Sequence, residues 1–204
     1  TICKTDKSEY PLSKPNRAAI NMINQLYDRG HIIKFNTARY MMRNKDNIQK
    51  TNKQELKNFV YYSGSGFLHK GLDLIIEFFI KHPEYKLHIC SPSYEKKFLN
   101  FYDIKKYENI IYEGNVKEDS SKAREIFSKC CFIISMNCSG GGSASLAVGR
   151  KYGLIPVVWQ NEDCNPKASI MINKEKISEM KKKIELISKM SIKRFNMLSK
   201  KNYY

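Results

Sequence analysis

The sequence predicts an α/β fold in which helices flank a mainly parallel sheet, preceded by a short α/β fragment. Two observations predict this fold class. Short apolar runs alternate with amphipathic segments along residues 59–204, and those segments are long enough to connect parallel strands by crossovers. The apolar runs also show little alternation with polar residues, which is typical of strands buried on both faces.

The apolar runs are the predicted strands of the sheet, and they cover residues 59–63, 86–90, 110–112, 131–136 and 154–159. The segments between them predict helices over 70–81, 120–129 and 144–152, and a partly helical stretch over 94–107. In 70–81, for example, apolar residues recur at helical spacing and give one inward-facing side. Strands and helices therefore follow one another in regular order.

The first 57 residues predict a smaller, separate unit. Pro15 at a first helical position and Gly30 as a stop predict a helix over 15–29, and 31–36 is typical of a short strand. Residues 40–58 are polar and basic without a compact apolar side, which favours a linker. The predicted domains are 1–57 and 58–204. Because the chain starts without Met or a signal-peptide centre, we expect a truncated N-terminus.

The composition narrows the classes of function. The chain has 36 Lys and Arg against 20 Asp and Glu, a formal net charge of +16, which favours acidic partners. No apolar run approaches the roughly 20 residues of a membrane-spanning helix. The cysteines show no Cys-x-x-Cys pairing, so we expect a reduced protein without a metal site. The tyrosines fall in core-like segments, so no nucleic-acid partner is expected.

Residues 173–204 are helical and basic, with Lys and Arg outnumbering Glu ten to three. An apolar stripe beside the charges predicts a closing helix packed on the sheet, with its basic side in solvent. The alternative is that the basic side contacts an anionic membrane surface. We therefore expect a cytoplasmic protein, with peripheral attachment to the inner membrane face as the alternative.

Residues 137–145 follow an apolar strand and open a helix, and they contain three consecutive glycines. Glycines allow close backbone approach to a ligand, and the free N–H groups of the helix start point to the same place as the hydroxyls of Ser143 and Ser145. This arrangement predicts a phosphate cradle, although no Walker-type Gly-Lys-Ser/Thr ending is present. A structural turn is the alternative.

A second turn, residues 64–73, joins a strand to a helix at the same carboxyl edge of the predicted sheet. Lys70 lies near the start of that helix, where a cation opposes the helix dipole, so helix stability does not explain it. A solvated lysine is the alternative. Together the two turns predict a phosphate held between a helix dipole and an ammonium group.

These segments, in this order, resemble the nucleotide-sugar-binding lobe of a GT-B retaining glycosyltransferase of the group 1 kind. The resemblance covers residues 59–200 and rests on YYSGSGFLHKGLDLIIE (61–77), LHIC (87–90), NIIYEGNV (109–116), CSGGGSAS (138–145) and GLIPVV (153–158). It implies a Rossmann-like lobe in which Lys70 contacts the donor diphosphate and the turn with Val116 lies by the base. Phosphate or sugar oxygens would be held by Gly141, Gly142, Ser143, Ala144 and Ser145.

The first loop of the family matches Gly64 and Ser65 here, with Ser65 in place of a common arginine. The family's two carboxylates, of which the resemblance implies that the first lies near the donor sugar and the second on the ribose, correspond to Gly140 and Val148. The resemblance therefore implies binding of a nucleotide-diphosphate sugar without a further cofactor, and impaired sugar transfer in surface-polysaccharide synthesis. A non-catalytic nucleotide-binding or scaffold module is the alternative.

Residues 1–3, 15–31 and 35–39 resemble the opening of a haloacid dehalogenase-type capsule-biosynthesis phosphatase. The resemblance implies that Thr1 ends an Asp-x-Asp-Gly-Thr motif and that Thr37 holds a phosphoryl oxygen. The aspartates would precede residue 1, and Mg²⁺ is expected only where they exist, because carboxylates attack the phosphate and hold the metal. A truncated phosphatase is thus a further alternative.

Overall fold

The computed structural model describes residues 3–4, 14–15, 17–30, 56–92, 95–138, 144–160, 168–173 and 177–202. The chain divides into two compact units, Thr1–Tyr40 and Met41–Tyr204. The boundary between these units lies after residue 40, whereas the sequence predicts a boundary after residue 57. The division into domains 1–57 and 58–204 stays a prediction.

The first unit contains the antiparallel strands β1 (Cys3–Lys4) and β2 (Lys14–Pro15) and the helix α1 (Arg17–Asp28). The prediction that Pro15 occupies the first helical position is wrong, because Pro15 pairs with Cys3 in β2. Proline is tolerated there because an edge strand need not use its N–H. Gly30 follows α1 in a left-handed conformation with φ +82°, as the predicted stop requires. The strand predicted over 31–36 lies outside the described residues.

The second unit is built on one parallel sheet, as the sequence predicts. Its six strands run in the order β5-β4-β3-β6-β7-β8, and they are β3 (Asn58–Tyr62), β4 (Lys86–Cys90), β5 (Ile110–Gly114), β6 (Phe132–Ser135), β7 (Ile155–Trp159) and β8 (Ile170–Ile172). All neighbouring pairs are parallel. Strand β8 was not predicted, because a run of three residues gives too little pattern.

Helices pack on both sides of the sheet: α2 (Leu72–Lys81), α3 (Lys96–Tyr102), α4 (Ser121–Lys129), α5 (Ala144–Lys151), α6 (Ile177–Ser188) and α7 (Ile192–Lys201). The single closing helix predicted for the tail is two helices. Ser191 separates them, because its hydroxyl accepts the N–H of Arg194 at 3.2 Å and caps the start of α7.

Successive strand residues alternate between two apolar clusters, so the sheet is buried on both faces. Phe59 and Tyr61 face one cluster, which also holds residues of α2, α3, α6 and α7. Val60 faces the other, with residues of α4 and α5. The alternation of period two places consecutive apolar residues on opposite faces, which explains why the strands read as continuous apolar runs.

A polar network of His88, Glu113 and Lys122 joins β4, β5 and α4, and it runs from the buried His88 to the exposed Lys122. His88 is 6% exposed, and its Nδ1 donates to a Glu113 oxygen at 2.9 Å, while the Lys122 ammonium lies 3.3 Å from the other oxygen. Burial lowers the pKa of His88 below its ordinary 6.5, although the Glu113 hydrogen bond opposes this shift. Burial also raises the pKa of the Cys90 thiol to about 12. The histidine is thus a hydrogen-bonded structural residue that joins β4 to β5.

Candidate functional site

The order of the strands selects one place on the sheet for a ligand. From β3 the chain continues to β4 and β5 on one side, and it then returns to β6 on the other side of β3. After β3 and β6 the chain therefore leaves the carboxyl edge of the sheet toward opposite faces, to α2 and to α5. In open α/β sheets this switch point is where ligands bind.

The loop after β3, residues 63–71, is the Lys70 loop. The N–H of Lys70 donates to the Gly66 carbonyl at 2.9 Å, and its ammonium nitrogen lies 3.9 Å from the position that a Cβ on Gly64 would occupy. Lys70 is half-buried and makes no ion pair or hydrogen bond through its side chain to any residue that the structure describes. Its positive charge is therefore folded back over Gly64 and available to an anion.

The loop after β6 meets the Lys70 loop directly. The N–H of Cys138 donates to the His69 carbonyl at 3.1 Å. Gly71 has φ +66°, and a Cβ at this position would lie 2.5 Å from both the Cβ and the carbonyl oxygen of Met136. Such a distance is shorter than real carbon contacts allow, so glycine at 71 is what lets the two loops approach this closely.

Of the predicted phosphate cradle, the structure describes Ala144 and Ser145, in the first turn of α5. Ala144 is exposed and Ser145 is half-buried. Because α5 follows β6, its positive N-terminal end belongs to the same edge of the sheet as the Lys70 loop. Gly141, Gly142 and Ser143 lie outside the described residues, as do Gly140 and the phosphatase-like Thr1 and Thr37.

The predicted base contact, Val116, also lies at this edge, after the left-handed Gly114 that ends β5. Its carbonyl accepts the hydroxyl of Tyr62, the last residue of β3, at 3.1 Å. The Val116 side chain is 4% exposed and belongs to the second apolar cluster. The Val116 side chain is therefore part of the core, and a contact of this side chain with a base is not available.

Gly64 and Ser65 are exposed at the turn of the Lys70 loop. Sequence reasoning missed the residues that hold this turn. The Ser91 hydroxyl donates to the Gly64 carbonyl at 2.9 Å, and the Glu95 carboxylate accepts the N–H groups of Gly66 and Phe67. The available signal in the sequence was an acidic residue between β4 and the next helix. Because β4 is adjacent to β3, the loops that follow the two strands lie side by side.

A cleft of about 780 Å³ opens between the Lys70 loop and α3, and it is lined by Gly66, Phe67, Leu68, His69, Glu95, Lys96, Lys97 and Phe98. It lies beside the switch point, on the β4 side of the Lys70 loop. Among the described residues no group of three or more His, Cys, Asp and Glu side chains is placed to hold a metal ion. Nor does any described helix have the length and apolarity to cross a membrane.

Comparison with known proteins identifies the fold. No known protein family and no curated protein sequence matches the chain. Solved structures do match, and one is a TarM mutant from S. aureus in complex with Fondaparinux, alpha-GlcNAc-glycerol and UDP, at 16% identity and a TM-score of 0.54 over 92% of this chain. The second unit has the fold of a GT-B glycosyltransferase lobe.

Two further glycosyltransferase-fold structures support this assignment. The lipopolysaccharide outer core galactosyltransferase WaaB, in its apo form, matches 88% of this chain at 13% identity and a TM-score of 0.56. HepE from Anabaena, in complex with UDP and glucose, matches 76% at 9% identity and a TM-score of 0.56. This chain spans 38% of the TarM chain, 57% of WaaB and 47% of HepE, less than two thirds of each.

Proposed function

We propose that residues 58–204 bind the diphosphate of a nucleotide sugar at the switch point between β3 and β6, as the donor-binding lobe of a glycosyltransferase. The observation that carries this proposal is the junction of the two loops, which sets the Lys70 ammonium, unpaired among the described residues, and the start of α5 at one edge of the sheet. A cation and a helix N-terminus are the groups that stabilise a phosphate. The TarM and HepE structures, which were crystallised with UDP, support this ligand class.

In a sugar transfer, the nucleoside diphosphate leaves with a developing negative charge. Lys70 and the first-turn amides of α5 are donors that would stabilise this charge. The family's two carboxylates are replaced by Gly140 and Val148, and this favours impaired transfer, or a non-catalytic binding module, over full activity. We place the chain in surface-polysaccharide synthesis in the cytoplasm, a role supported by its likeness in fold to the lipopolysaccharide galactosyltransferase WaaB.

Substitution of Lys70 tests the donor site. Lys70→Ala is expected to weaken binding of uridine or guanosine diphosphate by about 1–3 kcal/mol, roughly 5- to 150-fold, because a charge-assisted hydrogen bond is lost. Uridine or guanosine, which lack the diphosphate, should bind with unchanged affinity. Isothermal titration calorimetry measures both ligands.

The matched control is Lys86→Ala, which removes the same charge from an exposed residue at the amino end of β4. This variant should bind the diphosphates like the unsubstituted chain. Equal affinity of the chain for nucleoside and diphosphate, or no effect of Lys70→Ala, would make the Lys70 loop a structural turn and refute the proposed site.

The helices α6 and α7 carry a second proposed contact, with an anionic membrane surface. Among the side chains that the structure describes, each helix exposes one large apolar residue near cations: Leu186 is 63% exposed and Met197 is 49% exposed. Lys182 stands four residues before Leu186 on the same side of α6, and the exposed Lys189 follows directly after the end of α6. Lysine around an exposed apolar side chain is the pattern of a helix that lies in a bilayer interface.

Binding to vesicles tests this surface. A triple variant Lys182→Ala/Lys189→Ala/Lys193→Ala should bind phosphatidylglycerol-containing vesicles roughly 100-fold more weakly, since each lysine near an anionic surface contributes about 1 kcal/mol. Co-sedimentation measures the bound fraction. The control variant Lys86→Ala/Lys105→Ala/Lys117→Ala has the same net charge as the first triple variant and should bind the vesicles like the unsubstituted chain. An equal loss in the control, or equal binding to neutral phosphatidylcholine vesicles, would contradict a specific surface.

A further inference from the structure

The segment between β4 and α3 fastens the Lys70 loop at two points. At the first, the Ser91 hydroxyl donates to the Gly64 carbonyl at 2.9 Å. At the second, one oxygen of Glu95 accepts the N–H of Gly66 and the other accepts the N–H of Phe67, at 2.9 Å. Gly66 is left-handed, with φ +87°, so the two successive N–H groups converge on one anion. In this structure that anion is an internal carboxylate.

The second attachment continues to Lys70 through the backbone. The Gly66 carbonyl accepts the N–H of Lys70 at 2.9 Å, and the Phe67 carbonyl accepts the N–H of Leu72 at 2.9 Å. The residues that Glu95 holds by their N–H groups are therefore those whose carbonyls fix the start of α2. Gly64, whose carbonyl Ser91 holds, is also the residue beside the Lys70 ammonium, which lies 3.9 Å from the position that a Cβ on Gly64 would occupy.

We infer that Glu95 is a positioning residue, which fixes the Lys70 ammonium in the proposed diphosphate site; the inference rests on the proposed function. Both carboxylate oxygens are engaged by backbone N–H groups, and Glu95 makes no ion pair with Lys70. The carboxylate thus orders the loop without neutralising the cation. The carboxylate already occupies the amides of Gly66 and Phe67, so these two N–H groups are not available to a phosphate, whereas the side chain of Lys70 is.

A double-mutant cycle tests whether Glu95 acts through Lys70. Calorimetry with uridine diphosphate compares the unsubstituted chain, Glu95→Ala, Lys70→Ala and the double variant. We expect Glu95→Ala to weaken binding about 5- to 10-fold, and to change it by less than about 2-fold when Lys70 is already alanine. Uridine should bind all four proteins alike. Glu95→Gln, which keeps one acceptor oxygen, should fall between the glutamate and the alanine.

A second measurement needs no nucleotide, and it separates failure of this inference from failure of the proposed function. Lysine amines are reductively methylated with ¹³C-formaldehyde, and the Lys70 signal is assigned by its loss in Lys70→Ala. An ordered ammonium gives a signal displaced from those of solvated lysines. In Glu95→Ala we expect the Lys70 signal to move to the solvated position, whether or not the chain binds nucleotides.

The matched control is Glu108→Ala, which removes one negative charge from an exposed residue at the amino end of β5. It should leave both measurements unchanged. An unchanged Lys70 signal in Glu95→Ala overturns the inference. It is also overturned if Glu95→Ala weakens the binding of uridine diphosphate equally in the presence and in the absence of Lys70. Tighter binding in Glu95→Ala also overturns it, because it would show the carboxylate competing with phosphate for the two amides.

Discussion

Gly71→Ala is expected to lower the free energy of unfolding by about 2–5 kcal/mol. A non-glycine residue in the left-handed conformation costs about 1–2 kcal/mol, and Gly71 has φ +66°. Overpacking a buried contact costs about 1–3 kcal/mol more, and the new Cβ would lie 2.5 Å from the Cβ and carbonyl oxygen of Met136, which is fully buried. Urea unfolding followed by circular dichroism measures the change.

The control separates the two causes. Gly114 has φ +76°, but a Cβ there meets no atom within 4 Å. Gly114→Ala should therefore cost only the conformational part, about 1–2 kcal/mol. If both variants lose the same stability, the close approach of the Lys70 loop to Met136 contributes nothing. If Gly71→Ala is less stable than Gly114→Ala but still folds, it should also bind uridine diphosphate more weakly, because the new Cβ forces the two loops apart.

Val148→Glu is expected to lower the free energy of unfolding by about 3 kcal/mol or more at pH 7.5, the cost of an unpaired buried charge. Val148 is 5% exposed and belongs to the apolar cluster of α4 and α5. The family resemblance expects a ribose-binding carboxylate at this position, but the structure directs the side chain into the core. Restoring the carboxylate there should therefore not restore sugar transfer.

The comparison variant is Val148→Gln, which has the same size without the charge. Burial raises the pKa of the introduced carboxyl, so the folded protein prefers its neutral form. The difference in stability between the two variants should be small below about pH 4.3, the ordinary glutamate value, and should grow as the pH rises toward the folded-state pKa. Equal stability at pH 7.5 would show that position 148 faces solvent, where a glutamate could reach a ribose.

The sequence by itself determined the fold class and most of the sheet. Runs such as 131–134 and 154–159 are apolar on successive residues, and a strand buried on both faces requires this pattern locally. Helix α2 was predictable for the same reason, because the helical spacing of its apolar residues is also a local pattern in the sequence. The three-residue strand β8 was not predictable, because it is a strand only through its pairing with β7. The basic tail forms two helices and not one because the Ser191 hydroxyl caps the start of the second helix.

The candidate site divides in the same way. Lys70 and Ser145 follow apolar strands and open helices, so their places at the carboxyl edge were predictable from the sequence. The roles of Glu95 and Ser91 were decided only by tertiary structure, because they act on residues 27 to 29 positions away, across adjacent strands. The burial of Val148 was decided in the same way. A family match by position places the residue in the chain, but packing against the sheet determines whether its side chain faces a ligand or the core.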